Sequence, residues 1–188
     1  MKNPMDRRIL RTKESIRREF LSLLRERGYD KITVTELAFR ANINRKTFYQ
    51  YYTGIDDLMD HLETELIENY APLFRSIDLH SDLFDPYPFA KRFSDQLAQD
   101  MPTLQLLAEI DRLPKVSGQA KSILVDTLQP QLIGHGFDAD QLRLFLEYAV
   151  AGVLAMITDW IKAPTNSLGE FTSFLVRITQ GAFRAFSN

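Results

Sequence analysis

Apolar residues recur at helical spacing along most of the chain, and the apolar/polar alternation that is typical of strands is scarce. Most of the eight prolines and eight glycines fall between the long periodic stretches. This pattern predicts an all-α protein of about nine helices. We expect four helices in the first half, over 6–27, 34–40, 45–52 and 56–75, and five in the second half, over 89–100, 102–113, 116–129, 140–162 and 168–186.

Helix-end signals are clearest in the first 60 residues. Gly28 is a stop signal after the first helix, and Thr33 with Glu36 forms the capping-box pattern in which each side chain bonds the other's backbone N–H. Asn42 tolerates left-handed backbone, and Asn44 is a natural N-cap. These signals predict two short helices joined by a tight turn.

The near-neutral net charge of −2 is a cancellation between two parts of the chain. Residues 1–53 hold 13 Lys and Arg against 6 Asp and Glu, a net charge of +7, whereas the remaining residues hold 10 against 19, a net charge of −9. A basic head of this kind suits nucleic acid, and an acidic body is repelled by phosphate. The alternative is a chance gradient across one solvated surface.

The composition excludes several classes of protein. The chain has no cysteine, which excludes a disulfide framework, a zinc–thiolate site and a cysteine nucleophile. No apolar run approaches the roughly 20 residues of a membrane helix, and the charged N-terminus is not followed by an apolar signal-peptide core. We therefore expect a cytoplasmic protein that does not enter a membrane.

Two short helices that follow a longer basic helix make the helix-turn-helix arrangement, whose second helix enters the major groove of DNA. The apolar positions needed to hold the two helices together are present at Leu37, Ala38, Ala41, Ile43 and Phe48. The exposed first turn of the second helix would then carry Asn44, Arg45, Lys46 and Thr47.

Residues 33–58, TVTELAFRANINRKTFYQYYTGIDDL, resemble the DNA-binding motif of the TetR family of transcriptional regulators, and the preceding FLSLLRERGYDKITV fits the end of that family's first helix. The resemblance covers about residues 7–70. It implies a helix-turn-helix domain over 7–55 that continues into a connecting helix over 56–75, and an effector-binding and dimerisation domain over 76–188. It also implies a homodimer that binds a palindromic operator in double-stranded DNA and responds to a small-molecule effector.

The resemblance assigns DNA-binding roles to matching positions. Thr33 would cap its helix toward phosphate, Thr35 would contact phosphate or base, and Asn44, Arg45 and Lys46 would lie at the reading end. The positions that match phosphate contacts of the family are Thr47, Tyr49 and Tyr51, although the two tyrosines could instead pack at the edge of the head. Ile55 stands where the family commonly has a lysine, so a usual phosphate anchor is missing, and Arg7, Arg8 and Arg11 are the residues expected to compensate.

The last two predicted helices are apolar on more than one face and therefore need covering from both sides. We expect them to form a four-helix dimer interface with a second copy of the chain. The alternative is burial in the core of a monomer. The predicted interface residues are Leu142, Phe145, Ala149, Gly152, Val153, Phe171, Phe174 and Ile178.

Bulky aromatic residues and methionines in the middle helices indicate an effector pocket, although each also suits an ordinary core. The candidate pocket residues are Phe89, Phe93, Met101, Leu104, Tyr148, Met156 and Trp160.

Catalysis is the remaining function class. Asp57, Asp60, His61 and Glu65 fall at spacings on one helix that would suit a metal, but they more plausibly cap and solvate that helix, and no catalytic or phosphate-binding motif is present. We predict no enzyme activity, no metal and no cofactor. The sequence indicates a DNA-binding transcriptional regulator, a repressor modulated by a small effector. The alternative is a helical regulator or adaptor whose C-terminal domain binds a protein partner.

Overall fold

The structure, a computed structural model, describes residues 4–78, 86–133 and 139–186. Over these residues the protein is all-α, as predicted, with eight α-helices and one short 3₁₀ turn at Tyr29–Lys31. The helices are α1 (Pro4–Arg27), α2 (Val34–Arg40), α3 (Arg45–Tyr49), α4 (Ile55–Arg75), α5 (Tyr87–Glu109), α6 (Leu113–Leu132), α7 (Ala139–Lys162) and α8 (Leu168–Phe186).

The chain divides into two compact units, residues 1–65 and 66–188. The division lies inside α4, earlier than the boundary after residue 75 that the sequence suggested. Leu66, Ile67, Tyr70 and Phe74, on the second half of α4, are all buried. This half of α4 is therefore part of the second unit's core.

The core of the first unit is built from side chains of α1, α2 and α3. Ile16, Phe20 and Leu23 of α1 are fully buried, as are Leu37 of α2 and Phe48 of α3. Since these positions follow the helical stripe of α1 and the helix-turn-helix spacing, burial of apolar area holds the two short helices on the long one.

The turn between α2 and α3 has the left-handed residue that the sequence predicted, with a φ of 54° at Asn42. The Ile43 N–H donates to the Ala38 carbonyl at 3.0 Å, which closes the turn. The Ser15 hydroxyl of α1 donates to the Ala41 carbonyl at 3.1 Å, so the turn is also tied to the first helix.

Both predicted N-caps form, but the capping box is only half made. The Thr33 hydroxyl accepts from the Glu36 N–H at 3.2 Å, and the Asn44 side chain accepts from the Lys46 N–H at 2.8 Å. Glu36 does not reach back to its cap, because its carboxylate pairs with Arg27 at 2.9 Å.

A paired arginine fastens the end of α2 to α1. Two guanidinium nitrogens of Arg40 donate to the two carboxylate oxygens of Glu26 at 2.6 and 2.7 Å, and Glu19 lies 3.6 Å from the Arg40 Nε. The hydrogen bond from Arg40, and then one from Ser22, lower the pKa of Glu26 from 4.5 to about 2.

The second unit contains one correction to the predicted helices. The segments 89–100 and 102–113 were predicted as separate helices, but α5 runs through Pro102 without a break and ends at Glu109. Pro102 lacks an N–H, which frees the carbonyl of Ala98. Because Pro102 and Ala98 are both exposed, water can satisfy that carbonyl and the helix continues.

In the second unit, α7 packs mainly against α6. Leu142 and Leu146 of α7 form a buried cluster with Leu132 of α6. Further along the same pair, the Ser117 and Thr158 hydroxyls are 3.0 Å apart and hydrogen bonded.

Stacked rings join α7 to α8. The ring centroids of Trp160 and Phe171 are 4.7 Å apart and nearly parallel, and the Trp160 indole N–H donates to the Asn166 side chain at 2.8 Å. Ser167 caps α8: its hydroxyl accepts from the Glu170 N–H at 3.2 Å, and Glu170 accepts from the Ser167 N–H at 2.9 Å.

By length and composition, the segment Asp140–Lys162 of α7 would suffice to cross a membrane, which departs from the sequence expectation that no run approaches that length. A core helix of a water-soluble protein meets the same test. Of the apolar window, 33% is buried within the chain, and Leu142, Leu146 and Val150 are among the buried residues of α7.

The Arg40–Glu26 pair predicts how the stability of the protein depends on pH. Because folding lowers the Glu26 pKa, its carboxylate contributes stability in full above about pH 4.5 and loses it as the pH falls toward 2. Glu26→Gln should therefore lower the midpoint of thermal unfolding near neutral pH, with a difference from the wild type that shrinks near pH 3. Glu14→Gln on the same helix is the matched control. A Glu26→Gln difference that stays constant with pH would contradict the assignment.

Candidate nucleic-acid interface and ligand pocket

The eight predicted DNA-binding residues all keep contact with solvent. Thr33 and Thr35 are exposed at the start of α2. Of those at and after the turn, Asn44, Arg45, Lys46 and Tyr49 are exposed, and Thr47 and Tyr51 are half-buried. Their placement is compatible with the predicted contacts, which stay predictions.

The orientation of α3 is set by Phe48. This side chain is fully buried, with the Tyr52 ring 5.5 Å away and the Tyr49 ring meeting its edge at 5.6 Å. Because α3 has only five residues, burial of Phe48 fixes which of its side chains face water. Arg45 and Lys46 are among those that do.

Tyr51 has a protein partner that bears on its proposed role. The Lys13 ammonium lies 5.9 Å from the centre of the Tyr51 ring, within cation–π distance. The contact joins α1 to the residues after α3. Tyr51 thus packs at the edge of the head and still keeps part of its surface in water.

Arginines of α1 gather beside the helix-turn-helix turn. Arg7, Arg8, Arg11 and Arg18 line a groove of about 640 Å³, whose other wall includes the turn residues 41–43. We call this the arginine groove. Arg7, Arg8 and Arg11 are the residues predicted to compensate for Ile55, and the groove that they share with the turn was not predicted.

The segment around Ile55 is held by acidic side chains. The Asp57 carboxylate accepts from the Thr53 N–H at 2.7 Å and lies 3.2 Å from the His61 ring, and Asp56 bonds the Tyr29 hydroxyl. Among the residues that the structure describes, no group of three or more His, Asp or Glu is placed to hold a metal. The acidic residues at the start of α4 therefore have structural partners.

Phe39 is a feature that the sequence analysis missed. It is 85% exposed, the most exposed large apolar side chain among the described residues, and it lies one turn after Thr35 on α2. Its signal was available, because it follows the buried pair Leu37 and Ala38 at a position that a helix must turn toward solvent.

An apolar pocket of about 270 Å³ lies inside the second unit, with walls from α4 to α8. Three of the seven predicted pocket residues, Phe89, Phe93 and Leu104, line it. Met101, Met156 and Trp160 do not, and Trp160 is instead held in the joint with α8. Tyr148 was also predicted to line the pocket, but its side chain is 75% exposed to solvent.

Some of the predicted dimer-interface residues are buried within the chain, and others are exposed. Leu142 and Phe171 are buried within one chain, and Phe145, Ala149 and Val153 line the pocket. Burial of Leu142 and Phe171 by helices of the same chain contradicts their place in the interface, whereas for the half-buried Phe145, Ala149 and Val153 that place stays a prediction. Gly152, Phe174 and Ile178 are exposed as expected.

The exposed apolar side of α7 instead centres on Leu144 and Tyr148, at 61% and 75% exposure. Ala151, Gly152 and Ala155 continue it at helical spacing. Together with Phe174 and Ile178 of α8, we call these residues the outer face.

Taken together, two capped short helices, a left-handed turn between them and an exposed polar first turn on the second define a helix-turn-helix head of the DNA-binding class.

Comparison with known proteins agrees with this class. Residues 21–62 match the family model of bacterial regulatory proteins of the tetR family. An uncharacterized HTH-type transcriptional regulator of Bacillus subtilis (strain 168), YxbF, is 38% identical over 56 residues, which are 29% of this chain and only 15% of that protein. The likeness therefore concerns the head.

Solved structures resemble the whole chain in fold. The fatty acid degradation regulator FadR from Bacillus halodurans has a TM-score of 0.66 at 18% identity, over 98% of each chain. The dihydroxyacetone kinase operon activator DhaS has a TM-score of 0.64 at 18% identity, over 93% of this chain and 97% of its own. The head of this chain is therefore similar to that of the tetR family of bacterial regulatory proteins, and the solved structures show that the whole chain shares their fold.

Arg45 offers the sharpest test of base recognition at α3. Arg45→Ala should weaken binding to the preferred DNA sequence by about 1–3 kcal/mol and relax selectivity at one base pair, because a two-pronged contact with guanine is lost. Fluorescence anisotropy on the preferred site and its single-base variants measures both effects. Arg92→Ala, the same change on the exposed surface of α5, is the control. Equal losses on every sequence would make Arg45 a phosphate contact.

The arginine groove predicts a different signature. Arg11→Ala should weaken binding to all DNA sequences alike and reduce the slope of log K against log salt by about 1, because one phosphate contact is lost. Titrations across a range of salt concentrations give that slope. An unchanged slope would leave the groove outside the DNA interface.

Proposed function

We propose that this chain is a homodimeric transcriptional repressor that binds a palindromic operator and is modulated by a small effector. The observation that carries the DNA-binding part is the exposed, capped first turn of α3, held in place by the buried Phe48. Such a turn presents Arg45 and Lys46 to base edges and phosphates.

The distribution of charge supports the same function. The first 53 residues carry a net charge of +7, and the arginine groove collects four of those positive charges beside the turn. A concentrated positive field attracts DNA and makes binding strongly dependent on salt.

Control by an effector is supported by the pocket and by the continuity of α4. This helix begins soon after α3 ends, and its later residues Tyr70 and Phe74 line the pocket. A ligand that shifts these side chains shifts the helix that is connected to the head. By linkage, DNA must change the affinity for that ligand by the same factor.

Dimerisation is supported by the outer face. Its apolar side chains, Leu144, Tyr148, Phe174 and Ile178, lie on the last two helices, and its small residues would let a second helix approach closely. A two-fold dimer covers the same patch on both copies at once.

Selection of bound DNA from random sequence is the direct test of the DNA-binding proposal. We expect an enriched palindrome with half-sites about one helical turn apart. A chain with Arg45→Ala and Lys46→Ala is the control and should enrich no sequence. If the wild type also enriches none, specific DNA binding is refuted. In a transcription assay with the selected site, activation instead of repression would overturn the repressor assignment.

The outer face predicts a variant that separates the two copies. Tyr148→Glu should convert the dimer to a monomer in light scattering, because it places a charge in an apolar contact. Ile133→Glu makes the same type of change at a residue that is 63% exposed outside the outer face, and it should leave the dimer intact. A Tyr148→Glu chain that remains dimeric would remove the outer face as the interface.

A further inference from the structure

The chemistry of the pocket walls restricts what the pocket can hold. No Asp, Glu, Lys or Arg is among the described residues that line it, and its surface is almost wholly hydrocarbon. Burying an ionised group without a partner is strongly unfavourable. The described walls therefore provide no oppositely charged partner for a carboxylate, a phosphate or an ammonium group.

Two of the hydroxyls that reach the pocket are engaged. The Thr172 hydroxyl donates to the Leu168 carbonyl at 2.7 Å, and the Thr179 hydroxyl donates to the Leu175 carbonyl at 2.8 Å. The Tyr70 hydroxyl is buried with no hydrogen-bond partner among the described residues, and burial raises the pKa of this phenol. None of these groups supplies a charge.

The Ser117–Thr158 pair is different. Only one of the two hydroxyls can donate in the 3.0 Å bond between them, so the other retains a hydrogen for a further acceptor. Both residues line the pocket, and they belong to two different helices, α6 and α7. The pair is thus a polar point in a largely apolar wall, which the Gln180 side chain also lines.

Size sets the remaining limit. An apolar cavity of roughly 150 Å³ accepts benzene. A pocket of about 270 Å³ has room for a larger apolar molecule, although its volume lies just below the range of about 300–1,000 Å³ for small-molecule sites.

We propose that the effector is an uncharged, largely hydrocarbon molecule whose single polar group, a hydroxyl or carbonyl, hydrogen bonds to the Ser117–Thr158 pair. The inference rests on the proposed regulatory function, because it assigns the ligand class of the effector pocket. It excludes effectors that carry their charge into the pocket.

The test uses the full chain and N-phenyl-1-naphthylamine, an uncharged dye that fluoresces in apolar surroundings. Decanol, decanoate and decylammonium, which share a chain length and differ in charge, are compared as displacing ligands near neutral pH. We expect decanol to displace the dye at a concentration about tenfold or more below that of either ion. Displacement by decanoate or decylammonium at the same concentration as decanol would overturn the proposal.

Two variants locate the binding. Ala90→Phe fills the pocket and should abolish dye binding, whereas Ala98→Phe on the exposed side of the same helix should not. Thr158→Val should weaken decanol binding about threefold to tenfold and leave the dye unaffected. Retained dye binding in Ala90→Phe, with thermal unfolding showing that it is folded, would place the dye elsewhere and refute the assignment.

These measurements need no DNA, so a failure of the proposed ligand class can be distinguished from a failure of the proposed DNA-binding function. Decanol binding in a chain that binds no DNA would refute the regulator and leave the ligand class standing. DNA binding in a chain that takes up neither dye nor decanol would refute the ligand class alone.

Discussion

The burial of Phe48 is the interaction on which the DNA-binding head depends. A helix of five residues is too short to be stable in isolation, since the cost of nucleation exceeds what its few hydrogen bonds return. Its shape comes from the Asn44 cap at one end and from a fully buried aromatic ring in the middle. The Asn44 cap and the buried Phe48 ring therefore hold the polar residues of α3 in place, and those residues contribute little to the stability of the helix.

Charge and apolar surface are divided between the two halves of the sequence. The first 53 residues carry the positive charge, and the pocket and the outer face lie after residue 65. The α4 helix belongs to both units, since it begins with the Ile55 turn and ends among pocket residues. The proposed binding of DNA and the proposed binding of an apolar ligand therefore use different residues of one chain.

Local signals in the sequence predicted the head well, because caps and turns depend on neighbouring residues. Thr33, Asn42 and Asn44 all adopt the predicted roles. The second unit was harder to predict. α7 is apolar on several sides, and the sequence does not say which neighbour covers which side, so the buried Leu142 was assigned to the dimer interface and the exposed Tyr148 to the pocket. The break predicted before Pro102 was wrong for a related reason. A helix tolerates a proline where the residue is exposed, and exposure depends on tertiary packing.

The shortness of α3 has a consequence for selectivity in a genome. Five helical residues reach only a few base pairs, and each mismatched pair costs about 1–3 kcal/mol. A genome offers on the order of a million or more competing sites. A sequence of only a few base pairs occurs too many times among them to define a single site. Selective binding to one site in the genome therefore requires at least two such helices to bind DNA at the same time and at a fixed separation.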